Sequence, residues 1–315
     1  MNKKRSIKDL LAKMVFGGDN KLAKHPEAIK GNEDASEMGF RVALRDTKRF
    51  GLSLSKRRKM IEAKTMFPMM RELRKGRKSY KKNPKESNLK ASKEFFKELV
   101  EYAETLGISI GFAKLPHEYI FKNEAVLFDN VIVLSMEMDK EKMNKAPSIE
   151  TGKMVVETYH ELGKRTNKIA DFLKENGFRA QACHPLGGPI NYSPLAMLAG
   201  MGWFGRHGLI ITPKYGPRHR LSAVLTNITN LPIPEQNEHK WIEEYCATCG
   251  RCIEKCPPKA ILETPIIQRD GRKTHIDMEK CFPEFGNQYG CSICVKECMF
   301  NRVGYEKLKK IVEKR

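Results

Sequence analysis

Eight of the nine cysteines lie between Cys246 and Cys298, in two runs that share a spacing. The first reads Cys246-x2-Cys249-x2-Cys252-x3-Cys256-Pro257. The second reads Cys281-x9-Cys291-x2-Cys294-x3-Cys298, with its first cysteine drawn away from the rest. Close spacing lets three thiolates from one loop reach three irons of a cubane, while the fourth cysteine of each run ligates the other cluster. The pattern predicts one 4Fe–4S cluster on Cys246, Cys249, Cys252 and Cys298, and a second on Cys281, Cys291, Cys294 and Cys256. Paired Cys-x2-Cys units also make structural zinc sites, and zinc is the alternative. Zinc requires neither the two crossing x3 cysteines nor Pro257, so the spacing favours clusters.

The rest of the composition limits what surrounds these ligands. A chain of 315 residues with 40% hydrophobic content has enough apolar material for two or three modules of ordinary size. No stretch reaches the ~18 apolar residues of a membrane helix. The basic N-terminus, Met1-Asn-Lys-Lys-Arg-Ser, is followed by no apolar segment, so no secretory signal is expected, and Arg57-Arg58 does not open a twin-arginine leader. Cysteines grouped as ligands, with Cys183 alone left over, point to a reducing cytoplasm. Net charge is +20, and residues 1–90 hold 26 Lys and Arg against 10 Asp and Glu, whereas residues 241–315 hold 14 against 11. A basic, partly helical extension over residues 1–91 follows from this, with charge clusters at Lys56–Lys59, Arg74–Lys78 and Lys81-Lys82. Clustered cations can displace counterions from a nucleic acid, but a solvated arm is the favoured reading.

From Ser92 the chain becomes periodic. Ser92 caps a helix whose apolar positions Phe96, Leu99, Ala103 and Leu106 recur every three or four residues. Ile108–Phe112 and Ala125–Met136 read as extended segments, with Asn130 as a bend. Pro147-Ser148 opens the longest helix, on which Val155, Tyr159, Leu162, Thr166, Ile169 and Leu173 form one stripe, weakened at Gly163. Phe178–Cys183, Leu209–Thr212 and Leu221–Thr226 read as strands, and Asp270-Gly271 as a hairpin turn. Gly200, Gly202 and Gly205 spell G-x-G-x-x-G. A dinucleotide site needs a strand before that motif and a helix after it, and here the order is reversed. These glycines are expected to bring a turn close to another backbone or to a large flat ligand.

Residues 92–300 resemble the cobalamin-dependent iron–sulfur reductases, namely the epoxyqueuosine reductases and reductive dehalogenases. Ala199-Gly-Met-Gly-Trp-Phe-Gly205 followed by His207-Gly-Leu-Ile-Ile-Thr-Pro213 is similar to that family's glycine turn and strand. Lys214-Tyr-Gly-Pro-Arg-His-Arg-Leu221 is similar to the dehalogenase form of the next loop, and Cys281 stands apart from Cys291 as in both groups. The resemblance implies an α+β fold class: a nitroreductase-like α/β core at 92–240 that binds base-off cobalamin, then a bacterial two-cluster ferredoxin-like domain at 241–300. A basic helix or tail is expected at 301–315.

On the same resemblance, a low-potential ferredoxin or flavodoxin supplies electrons through the two clusters to the corrinoid for reduction of a small-molecule substrate. Tyr159 sits where dehalogenases carry a tyrosine proton donor, although it also lies on the apolar stripe. His184 falls near the loop where epoxyqueuosine reductases carry an acidic donor; this chain has no aspartate there. Arg218 matches the dehalogenase loop and could hold an anion. Asn191, Gly200, Gly202, Gly205 and His207 are assigned to the cofactor. Cys183 reads as a small buried hydrophobe. The expected function is an iron–sulfur oxidoreductase. A non-catalytic ferredoxin-like electron carrier without cobalamin is the alternative, and a third idea is an RNA-acting protein using the basic extension.

Overall fold

The computed structural model describes residues 22–33, 35–37, 63–268 and 273–314. The Lys56–Lys59 cluster and the Asp270-Gly271 turn lie outside these residues. In chain order the core contains β1 (Ile29–Lys30), α1 (Ala63–Arg77), α2 (Lys93–Thr105), β2 (Ser109–Lys114), β3 (Ala125–Val126), β4 (Asn130–Glu137) and α3 (Lys140–Asn144). It continues through α4 (Ile149–Glu175), β5 (Ala180–Cys183), α5 (Tyr192–Leu198), β6 (Trp203–Phe204), β7 (Ile210–Ile211) and β8 (His219–Thr226).

The most apolar run of the chain becomes the inner strand β4. It belongs to a four-stranded antiparallel sheet of order β2-β4-β8-β5. Alternate side chains of a strand point to opposite faces. Ile132, Leu134 and Met136 join Phe95 and Leu99 of α2 and Leu162, Ile169 and Leu173 of α4 in one core. Val131 and Val133 join Leu195 and Ala196 of α5 and Ala223 and Leu225 of β8 in the other. Helices thus cover both faces, and this explains why β4 carries no polar alternation. The single extended segment expected over Ala125–Met136 is two strands. The Leu127 amide is drawn off to Gln181 Oε1 at 2.9 Å, and Asn130 opens β4 in register with Lys114 and Thr226 instead of bending it.

Local signals set the helix starts. Ser92 Oγ accepts from the Phe95 amide and Ser148 Oγ from the Thr151 amide, both at 3.1 Å, each satisfying a donor that a helix N-terminus leaves free. Along α4, Leu162, Thr166, Ile169 and Leu173 are buried as the stripe demands, while Val155 and Tyr159 are half-buried and Thr151, Met154 and Thr158 take the inner positions.

Charge alone would set residues 63–91 apart with the basic extension, but their packing joins them to the core. Met69, Met70 and Leu73 of α1 are buried, and Asn167 of α4 donates to the Glu72 carbonyl and carboxylate at 3.0 Å. Ser79 Oγ and Asn83 Oδ1 accept from the Ala182 and Ala180 amides at 2.8 and 2.9 Å. Strand β5 is a sheet edge, and these side chains occupy donors that would otherwise invite a further strand.

The cysteine-rich segment contains α6 (Trp241–Cys249), α7 (Arg251–Lys255), β9 (Ile261–Ile267), β10 (Lys273–Ile276), α8 (Met278–Asn287), α9 (Ile293–Glu297), α10 (Met299–Arg302) and α11 (Tyr305–Val312). Strands β9 and β10 pair antiparallel on either side of the expected turn. The repeat in the cysteine spacing is also a repeat in the backbone. Gly250 and Ser292 are both left-handed, at φ 57° and 64°. Each precedes a five-residue helix, α7 or α9, that ends at an extended cysteine, Cys256 or Cys298. Tyr305 and Leu308 of α11 are buried against Ile242, Phe300 and Cys298, so residues after 300 close this segment.

Candidate functional site

Cys246, Cys249, Cys252 and Cys298 line one cavity, with Arg206, His207, Tyr245 and Phe300 around them. Three come from the first run, carried by α6 and α7. The fourth arrives from the second run because α9 ends by aiming Cys298 back. Cys252 and Cys256 are buried with Ala260 and Ile261, and Cys281 and Cys294 pack against that patch. Burial, then neighbouring cysteines, pushes the Cys246 and Cys281 thiols up to about 11 and Cys252 to about 12. Cys298 is held well up by burial and by Cys246, and Cys294 is raised by burial and by Cys291 and Cys281. Thiols crowded in this way resist ionising together, and a bound cation reverses that by holding them as thiolates. The Ala260 amide donates to Cys256 Sγ at 3.3 Å.

The glycine turn leads into Arg206 and His207, which line this cavity. A Cβ on Gly202 would stand 2.1 Å from the Ile211 carbonyl oxygen, and one on Gly200 would stand 3.1 Å from Pro234. These glycines therefore admit close backbone and side-chain approach within the chain. A Cβ on Gly205 would meet Ile211 at 2.7 Å and the His207 ring at 2.9 Å. His207 is 1% exposed; its Nδ1 accepts from the Leu209 amide at 3.2 Å, and its Nε2 has no hydrogen-bond partner among the described residues. In the next loop Gly216, at φ 58°, lies against the Phe300 carbonyl. Lys296 Nζ donates to the Ala146 carbonyl at 2.9 Å, and Asn301 Nδ2 to Asn144 Oδ1 at 3.0 Å. Both motif segments thus lie where the sheet core meets the cysteine-rich segment.

The three candidate catalytic residues fall differently. Tyr159 receives a hydrogen bond from Arg220 Nη1 at 2.9 Å, and Arg220 Nη2 reaches Met138 Sδ at 3.6 Å. Met138 belongs to an apolar wall with Met143, Met154 and Val295, against which Val155 and Cys294 pack. Arg218 is buried and turned to the Glu137 carboxylate and the Met138 carbonyl. Arg220, two residues on, is the arginine that reaches Tyr159, and it was not among the sequence candidates. Only the pairing of β8 with β4 against α4 distinguishes the two. His184 is buried with its ring against Gly163, where a Cβ would lie 2.0 Å from Nε2. Its Nδ1 accepts from the Leu186 amide at 3.0 Å, and the Tyr192 hydroxyl donates to its carbonyl at 2.8 Å. Burial pushes its pKa down to about 3, so it is a neutral, packed imidazole at neutral pH. Gly163 is one helical turn beyond Tyr159, so His184 and Tyr159 flank the same stretch of α4. Asn191 precedes α5 without a side-chain cap bond, its amide donating to the Tyr119 carbonyl at 2.8 Å.

No family model matches the chain. Over 188 residues it is 33% identical to a tetrachloroethene reductive dehalogenase of Desulfitobacterium hafniense, covering 55% of this chain and 33% of that protein. Over 151 residues it is 32% identical to an epoxyqueuosine reductase of Aliivibrio fischeri, covering 45% and 38%. A catabolic reductive dehalogenase solved with 3-bromo-4-hydroxybenzoic acid aligns at a TM-score of 0.63 and 18% identity, over 86% of this chain and 40% of that one. A second reductive dehalogenase structure, described in terms of B12-dependent dehalogenation, aligns at 0.57 and 19% identity over 81% and 41%. The chain's homologues are reductive dehalogenases and epoxyqueuosine reductases, and it shares a mixed helix-and-sheet fold with the matched part of the dehalogenase structures. It spans less than half the length of the curated relatives it matches.

Proposed function

We propose that the chain is an iron–sulfur oxidoreductase of the reductive dehalogenase and epoxyqueuosine reductase type, working in a reducing cytoplasm. A low-potential ferredoxin or flavodoxin supplies electrons singly, and two 4Fe–4S clusters carry them toward a reducing site beside Tyr159. The observation that carries this is Cys298, which leaves its own run to complete the cavity of Cys246, Cys249 and Cys252. Thiolates ranged around a cavity suit a cubane, whose ligands sit on separate irons. Anaerobic reconstitution tests this: a brown protein absorbing broadly near ~400 nm is expected, and a colourless one with stoichiometric zinc would overturn it.

A corrinoid belongs to the proposal through the relatives. When bound it would supply a strongly reducing metal centre for an organohalide or epoxide substrate. The residues assigned to it do not build one site. Gly200 and Gly202 face Pro234 and Ile211, Gly205 faces Ile211 and His207, and His207 lines the cysteine cavity. The chain's own contribution to chemistry is then Tyr159, whose hydroxyl is held by Arg220 as a proton donor. That pair favours an enzyme over a passive electron carrier, for which it has no use. Equilibrium binding of a corrinoid, read by a Co(II) resonance, decides the cofactor independently of the clusters. Nucleic-acid contact is a second reading, favoured by Lys78, Lys81, Lys82 and Lys85, all exposed beyond the end of α1. Salt-dependent RNA binding that weakens when these four become glutamine would sustain it.

A further inference from the structure

We propose that His207 donates its Nε2–H to a sulfur of the cluster on Cys246, Cys249, Cys252 and Cys298, and so raises that cluster's reduction potential above its unbonded value. This rests on the two-cluster reading. His207 lines the cavity formed by those four cysteines. Its Nδ1 accepts the Leu209 amide, so that nitrogen carries no proton and the ring's N–H is at Nε2. That N–H is buried and without an acceptor among the described residues, and a buried donor carries an uncompensated desolvation penalty until it finds one.

The seat is built for the ring. Gly205 leaves room where a side chain would press on Cε1 and Nε2, at 2.9 and 3.3 Å from its Cβ. Neither neighbouring histidine lines this cavity: His219 Nε2 is bonded to the Ile210 carbonyl at 2.9 Å, and His275 stacks on Phe204. A hydrogen bond to a cluster sulfur withdraws electron density and stabilises the reduced cluster, which carries one more negative charge. Hydrogen bonds to the sulfurs are among the determinants of cluster potential. Apolar side chains, Ala260, Ile261, Ile253 and Ile276, pack around Cys256, Cys281 and Cys294 of the second cluster. The result is a difference in potential between two clusters with equivalent ligands.

The test is redox potentiometry followed by electron paramagnetic resonance on the full chain with both clusters assembled. In His207→Phe one cluster's potential shifts negative and the other is unchanged, while His207→Gln, which keeps an N–H donor, recovers part of the shift. Wild-type protein with 15N-labelled histidine shows a weak nitrogen coupling on one reduced cluster that His207→Phe removes. Gly205→Ala, which displaces the ring without removing it, gives the same negative shift and serves if His207→Phe does not assemble. Unchanged potentials together with no nitrogen coupling overturn the role of His207 and leave the clusters standing. A wild-type chain that assembles no cluster overturns both.

Discussion

Arg220 donates to the Tyr159 hydroxyl at 2.9 Å while its guanidinium carbon lies 4.0 Å from the centre of the same ring. One side chain from β8 thereby restrains both the face and the tip of a tyrosine on α4. A planar guanidinium can stack and donate at once, which an ammonium cannot reproduce. Through Met138 the pair is linked to the apolar wall on which Cys294, a proposed cluster ligand, packs.

Tyr159→Phe should leave iron content unchanged and lower reductive turnover by about 10²–10⁴-fold, the range of a positioned proton donor. Arg220→Lys should fall between the two, because it keeps the charge and loses the stack. Turnover with reduced methyl viologen as donor, set against iron per chain, separates a chemical defect from loss of clusters.

Cys298→Ala should abolish one cluster and spare the other, roughly halving iron per chain, because the x3 cysteines cross between clusters. Cys183→Ala should leave iron unchanged, since Cys183 is buried in the sheet core far along the chain from the ligands. Iron analysis and resonance spectra of the two variants check this directly.

Gly163→Ala should destabilise the protein by about 1–3 kcal/mol or more through overpacking, because its Cβ would fall on the His184 ring. The neighbour here is a ring held by its own hydrogen bonds, so it cannot swing away cheaply. Gly76→Ala, whose Cβ would meet Asn167 Oδ1 at 3.1 Å, should cost less. Denaturant unfolding followed by circular dichroism ranks them.

Burial holds His184 down at about 3 against an ordinary value of 6.5. Between those values the unfolded chain binds a proton that the folded chain refuses, so stability is full above about 6.5 and falls as pH drops. The loss approaches about 1.4 kcal/mol per pH unit once the unfolded group is protonated. His184→Asn should flatten this slope between pH 6 and 4, measured by denaturant midpoints across that range.

Some of this could be read locally. Ser92 caps the helix it was expected to cap, and Ser148 caps the one expected to open at Pro147-Ser148, since a hydroxyl and an amide three residues on need no distant partner. Gly163 looked like a weak point in α4, and its reason appears only when the loop bearing His184 folds against it. The lysine-rich composition of residues 63–91 hid an apolar stripe, Met66, Met70 and Leu73, which packs with Leu186. Choosing Arg220 over Arg218 was likewise beyond sequence, because their partners, Tyr159 and Glu137, lie 61 and 81 residues away.

By itself the sequence determined which cysteines one short loop can present together, because spacing is a property of a few consecutive residues. Tertiary structure decided what the ligands adjoin. It brought the turn at Gly205 and His207 onto the first cavity, placed Tyr159 and Arg220 beside the wall of Cys294, and filled the glycine turn with the chain's own backbone. Those outcomes depend on packing between segments far apart in the chain, where a difference of one strand position sends a side chain to a different partner.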